Sequence, residues 1–231
     1  MQTTLPVPLD VATTLTGAPR TFTLSNALVA LDPTPRADPE AIRALRTHIM
    51  ARHLEIGRRA LAICAPTPGV GCTMVAANLA VALSQIGVKT LLVDANLRTP
   101  SIDKLFQPSG PVTGLQQCLS GDEPFSEFIE PEVLPDLSIM FAGGFSANPQ
   151  ELLASGRFAD LMNFCLRDFE MTILDTPPAN RCSDVHRISM VAGYGLVVAR
   201  RNLTYIHDLK TLVSQLESDH AKVIGTVMTE N

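Results

Sequence analysis

Leu61-Ala62-Ile63-Cys64-Ala65-Pro66-Thr67-Pro68-Gly69-Val70-Gly71-Cys72-Thr73-Met74 is the stretch on which the fold turns. Its first five residues are apolar throughout and run straight into prolines and glycines, the pattern of a short strand buried on both faces. Residues 73–86 read as the helix that follows. Between them, Gly69 and Gly71 let successive backbone N–H groups curl around an anion at a helix N-terminus, where the helix dipole favours negative charge. Pro68, Gly69, Val70, Gly71, Cys72, Thr73 and Met74 are therefore the candidate nucleotide-binding residues. The Thr73 hydroxyl, just inside the helix, is placed to ligate Mg²⁺. The usual motif carries Lys immediately before that hydroxyl, whereas this sequence has Cys72. The bland alternative is a tight turn with no ligand. The strand–loop–helix setting, followed by Asn78-Leu79-Ala80, weighs against it.

Working outward, residues 90–94, 137–141, 171–175, 195–199 and 222–228 form further apolar runs. Helical patterns at 149–166 and 205–218 separate some of them, and residues 98–132 read as short helices and turns. Strands apolar on both faces, alternating with helices, predict an α/β fold: a mostly parallel β-sheet with helices on both faces. The region 38–231 reads as one domain of this kind, with no internal repeat. Residues 1–37 are rich in Thr and Pro and read as a flexible arm, poorly ordered unless docked. Asp38 is expected to cap the first helix, with Pro39 at its first position and Glu40 in its first turn.

Two carboxylates fit the phosphate loop. Asp94 closes the run Leu91-Leu92-Val93-Asp94, and Asp175 closes Ile173-Leu174-Asp175. Ligands of open α/β sheets bind at the carboxyl ends of the strands, so both can face the loop and its metal. One aspartate at a strand end is often only a cap. Two that match a phosphate loop are the candidate catalytic and Mg²⁺-binding residues, together with Thr73 as a metal ligand.

The motifs Pro-Gly-Val-Gly-x-Thr…Asn-Leu-Ala, Leu-Leu-Val-Asp-Ala-x-Leu-Arg and Leu-Asp-Thr-Pro-Pro, over residues 38–229, resemble the deviant phosphate-loop ATPase group. Within it the sequence is most similar to the bacterial tyrosine kinases that accompany polysaccharide co-polymerases. Gly144, Asn148-Pro149-x-Glu151-Leu152-Leu153 and Ser183-Asp184 extend the match. Glu40, Arg43 and Arg46 match the family's Glu-x-x-Arg-x-x-Arg helix. The resemblance implies a phosphate-loop NTPase fold shared with positioning ATPases, ATP or ADP with Mg²⁺ as cofactor, and a homo-oligomer interface at Glu40, Arg43 and Arg46. On spacing alone those three residues are a solvated charged stripe. The implied partner is the cytoplasmic tail of an inner-membrane polysaccharide co-polymerase, which would hold the protein in the cytoplasm at the membrane.

The departures point away from full activity. Cys72 stands where the family has Lys, Asn96 where it has a second Asp, and Thr229 where it usually has Asn. The tyrosine-rich tail of such kinases has no counterpart before Asn231, and Tyr194 and Tyr205 fall within predicted structure. Losing one pre-organised donor to a transferring group typically costs about 100- to 1000-fold in rate. Arg98, or a neighbour's Arg43 or Arg46, are the candidates to replace the missing cation. A thiol at a helix N-terminus has a lowered pKa, which makes Cys72 a candidate redox sensor; a tolerated small residue is the bland reading.

Composition excludes other classes. The net charge of −5 argues against a general nucleic-acid surface. Five scattered cysteines without CxxC pairing fit reduced thiols better than disulfides or zinc. The five histidines show no metal-ligand spacing, and no apolar run reaches the ~18 residues of a spanning helix. Any membrane-spanning portion is expected on a separate chain. The rival class, a positioning ATPase, usually carries an early loop Lys followed by Gly-Gly, where this sequence has Ala65-Pro66-Thr67.

Overall fold

In the computed structural model, residues 20–34, 36–54 and 57–230 are described. In chain order the elements are β1 Phe22–Leu24, α1 Ala37–Ile49, β2 Ala60–Cys64, α2 Cys72–Ser84, β3 Thr90–Asp94, β4 Phe106–Pro108, α3 Leu115–Ser120, β5 Glu130–Leu134, β6 Leu137–Met140, α4 Pro149–Ala154, α5 Gly156–Asp168, β7 Met171–Asp175, α6 Asp184–Ala192, β8 Tyr194–Arg200, α7 Ile206–Ser218 and β9 Lys222–Thr229. The main sheet has the order β5-β6-β3-β7-β2-β8-β9. All its pairings are parallel except β5 with β6.

Side chains alternate across a strand, and here both faces are covered. Leu61 and Ile63 of β2, Leu92 of β3, Ile173 of β7 and Val198 of β8 pack into one core with α2. Ala62, Cys64, Leu91, Val93, Leu174 and Val197 point the other way, into a second core with α5, α6 and α7. The central strands β2, β3, β7 and β8 read as continuous apolar runs because neither of their faces meets water. The central strands β3, β7 and β2 are neighbours, so their carboxyl ends deliver Asp94, Asp175 and the 65–71 loop to one edge.

Several expectations change. The first helix starts at Ala37 with Arg36 as the extended cap residue, so Asp38 is not the N-cap but lies within the first turn. Its charge still meets the positive end of the helix. Residues 20–34, assigned to the arm, are docked. β1 pairs antiparallel with β4, and Leu28 and Ala30 are buried against α2. Residues 1–19 of the arm lie outside the described residues. The helices expected over 149–166 are α4 and α5, parted where the Ser155 backbone is extended. Helix α6 escaped the sequence reading, although Val185, Ile188 and Ala192 carry its apolar spacing and are buried. Strand β5 also escaped it, since Pro131 and two glutamates mark an edge strand rather than a core one. Tyr205 lies not inside an element but before α7, 75% exposed.

Asn78 shows what docks the segment. Buried at 1% exposure on α2, its Oδ1 accepts Ala30 N–H at 2.9 Å, and its Nδ2 donates to Ala27 O at 3.2 Å and Met74 O at 2.9 Å. Asn78→Leu is expected to destabilise the fold by about 1–3 kcal/mol, because it strands the Ala30 donor and Ala27 acceptor away from water. Cleavage between residues 20 and 34 under limited proteolysis should accelerate; unchanged cleavage would show that the segment is held elsewhere.

Candidate functional site

The loop after β2 curls back because Gly69 (φ 77°) and Gly71 (φ 90°) adopt the left-handed backbone that glycine tolerates. Gly71 caps α2 without any side-chain bond, which leaves the first N–H groups of that helix directed at the loop. A Cβ at Gly71 would meet the Thr229 side chain at ordinary distances, Cγ2 at 3.7 Å and Oγ1 at 4.0 Å. The cost of Gly71→Ala is thus backbone strain, about 1–2 kcal/mol, checked by thermal unfolding. A cleft of about 250 Å³ opens over the loop, walled opposite by Asn96, Thr99, Ser101 and Thr176.

Register places the two aspartates side by side: Asp94 of β3 faces Asp175 of β7. Their roles differ. Both oxygens of Asp94 are taken by backbone N–H groups, from Asn96 (3.2 Å), Ser101 (3.0 Å) and Ile102 (3.1 Å). Asp94 therefore shapes the 94–102 loop. Asp175 accepts the Thr73 hydroxyl on Oδ2 at 2.6 Å, while its Oδ1 is buried with no partner among the described residues. The Thr73 hydroxyl also meets Ser101 Oγ at 3.1 Å. Burial, and then the Asp94 charge, push the Asp175 carboxyl up to about 8; burial raises Asp94 to about 6 against its three amide bonds. A buried carboxylate oxygen without a partner, beside a hydroxyl and a second carboxylate, is a donor set that suits a hard cation such as Mg²⁺. Among the described residues no group of three or more His, Cys, Asp or Glu side chains is arranged to hold a metal, so phosphate and water oxygens would complete the shell.

Cys72 does not behave as a sensor. Its thiol turns back to the sheet and donates to Ile63 O at 3.0 Å. Burial and the Asp175 charge raise its pKa well above that of a free thiol. The expectation of a lowered pKa fails because the side chain points inward and gains little from the helix dipole. Arg98 does not replace the missing cation either. Its guanidinium is forked onto Asp184, Nε to Oδ2 at 2.7 Å and Nη2 to Oδ1 at 3.1 Å, which ties the loop after β3 to the start of α6. Asn96 closes a turn with Thr99, accepting its N–H at 3.1 Å.

Glu40, Arg43 and Arg46 stand on α1 away from the cleft. Arg43 bonds Glu40 (3.2 Å) and Asp32 O (3.1 Å), and Arg46 bonds Ala82 O (3.3 Å). Within one chain they clamp α1 to the docked segment and to α2. Sequence reading missed Arg200 and singled out Thr229 only as a departure from the family's Asn; both bond carbonyls of the loop. Arg200 Nη1 donates to Gly69 O at 3.0 Å and Thr229 Oγ1 to Val70 O at 2.7 Å. For Arg200 the available signal was its position at the carboxyl end of an apolar strand.

Comparison with known proteins agrees with this geometry. No protein-family model matches the chain. Tyrosine-protein kinase ptk of Acinetobacter johnsonii is 32% identical over 195 residues, covering 83% of this chain and 26% of that protein. The chain thus spans about a quarter of the length of such curated relatives. Among solved structures, the chimerical protein CapA2B2 superimposes with a TM-score of 0.81 at 28% identity, over 93% of this chain and 95% of the other. The kinase domain of the Escherichia coli tyrosine kinase ETK gives a TM-score of 0.81 at 28% identity, over 88% of this chain and 79% of the other.

Proposed function

The chain is a homologue of the bacterial tyrosine-protein kinases, with the phosphate-loop fold of their kinase domains, and from that premise we propose that it is a nucleotide-binding, kinase-like subunit with weak or no phosphotransfer of its own. It works with a membrane polysaccharide co-polymerase in the synthesis and export of an extracellular polysaccharide, at the cytoplasmic side of the membrane. The observation that carries this reading is a phosphate loop complete in backbone and in Thr73 and Asp175 but lacking its cation, the Cys72 thiol being turned away to Ile63 O. Pro68, Gly69, Val70, Gly71, Cys72, Thr73 and Met74 hold the phosphates of ATP or ADP, and Thr73 and Asp175, with Asp94 beside them, hold Mg²⁺. Bound there, Mg²⁺ would neutralise phosphate charge.

No described helix is long and apolar enough to cross a membrane. In this reading the membrane contact is made through the partner's cytoplasmic tail. Self-association is assigned to the α1 stripe of Glu40, Arg43 and Arg46. Because Arg43 and Arg46 also bond within the chain, their replacement by Ala tests that interface only if the fold is shown intact alongside the assembly mass.

An active autokinase is the second reading, favoured by the adjacency of Asp94, Asp175 and Thr73. Calorimetric titration with ATP and ADP plus Mg²⁺, alone and with the partner's tail, tests the first reading. Micromolar binding without turnover is expected. Turnover would favour the autokinase, and no binding under either condition would leave a scaffold on a nucleotide-binding fold.

A further inference from the structure

Building on the nucleotide-binding reading, we propose that the anion site of this chain is held ready by Arg200 and Thr229 acting from outside the loop, in place of a lysine acting from within it. A trans peptide is planar, with its C=O and the following N–H on opposite sides. Whatever holds a carbonyl on one side therefore aims the next N–H to the other. Arg200 Nη1 holds Gly69 O at 3.0 Å, which turns Val70 N–H away from Arg200. Thr229 Oγ1 holds Val70 O at 2.7 Å, which turns Gly71 N–H away from Thr229. Gly69, Val70 and Gly71 line the cleft, whereas neither Arg200 nor Thr229 is among its lining residues. Neither N–H donates in any hydrogen bond among the described residues.

The two anchors are one structural unit. Arg200 and Thr229 are register partners at the carboxyl ends of the parallel strands β8 and β9. Each is itself fixed: Thr204 Oγ1 accepts Arg200 N–H at 2.9 Å, and Thr229 Oγ1 also approaches Ala199 O at 3.3 Å. The loop needs such anchoring, because Gly69 and Gly71 supply its left-handed turns at the expense of stiffness. With its carbonyls tied down, the loop presents two aligned donors without reorganisation on binding, the condition under which backbone dipoles act most strongly. The Arg200 cation also polarises the Gly69–Val70 peptide and strengthens its N–H as a donor. Arg200 and Thr229 are positioning residues; neither need touch the phosphate.

The test compares wild type with Arg200→Ala, Arg200→Lys and Thr229→Val, using ADP with Mg²⁺ and, separately, inorganic pyrophosphate. Affinity is read by calorimetry and the Val70 and Gly71 amides by ¹⁵N NMR. Thr229→Val keeps the shape and strand propensity of the residue, so it reports on the hydroxyl even if Arg200→Ala folds poorly. Each anchor removed is expected to weaken both ligands by about 5- to 30-fold and to shift the Val70 or Gly71 amide in the ligand-free protein. Arg200→Lys should recover part of the loss. Arg201→Ala, whose partner is the exposed Glu230, should leave affinity unchanged. If wild type binds ADP and the anchor variants bind it equally well, the inference is overturned and the nucleotide reading stands. If wild type binds pyrophosphate through these amides but not ADP or ATP, the nucleotide reading falls and the inference stands. Binding of neither overturns both.

Discussion

Replacing Asp175 by Asn is expected to stabilise the ligand-free protein while abolishing the Mg²⁺ dependence of nucleotide binding. The carboxyl is 0% exposed, beside Asp94, with one oxygen lacking a partner among the described residues. Its pKa in the fold is raised to about 8, chiefly by burial. In the unfolded chain an aspartate titrates near ~3.9. Between those values the unfolded state releases its proton and the folded state keeps it, so the contribution of Asp175 to stability is most favourable below about pH 4 and declines as pH rises towards 8. Asn carries no such penalty and can still accept the Thr73 hydroxyl. The stabilisation by Asp175→Asn should therefore grow across that window to a few kcal/mol, the order of an ion's burial penalty. Urea unfolding at about pH 5 and pH 8 reads this directly, because the difference between variant and wild type must widen with pH. Calorimetry with ADP should show Mg²⁺ enhancing binding in wild type and not in the variant. A variant less stable at both pH values would mean that the aspartate is paired in solution and that the unfilled Oδ1 is not a metal position.

Cys72→Lys is expected to produce the largest gain of function available to one substitution. Cys72 opens α2 at the lip of the cleft, yet its thiol donates to Ile63 O, which Thr176 Oγ1 also bonds at 2.8 Å. Losing the thiol therefore leaves that carbonyl satisfied. A lysine stem is too long for the inward pocket and must turn out over the loop, where its ammonium meets the phosphates. Nucleotide affinity should rise at least about tenfold, and if a tyrosine substrate is accepted, transfer should rise by about 100-fold or more. Asn96→Asp alone should do little, because Asn96 is occupied in its turn with Thr99. The double variant should exceed the sum of the two if the residues act as a unit. Unchanged ATP affinity in a folded Cys72→Lys protein would sink the idea that a missing cation limits this site.

The sequence by itself determined the parallel sheet, the strands at 90–94 and 171–175, the glycine turns and the convergence of Thr73, Asp94 and Asp175. These follow from local constraints: apolar runs dictate strands buried on both faces, left-handed turns call for glycine, and strand-end carboxylates reach the ligand edge of an α/β sheet. Only the tertiary structure decided what those residues meet. Residues 20–34 dock through Asn78, bonded to a residue 48 positions away, and Arg200 reaches Gly69 across 131 positions. Arg98 turns to Asp184 rather than to the loop, the Cys72 thiol turns inward, and burial pushes the Asp175 carboxyl up despite its Thr73 hydroxyl partner. Side-chain direction and protonation depend on which distant groups share the space and exclude water, and no local pattern encodes that.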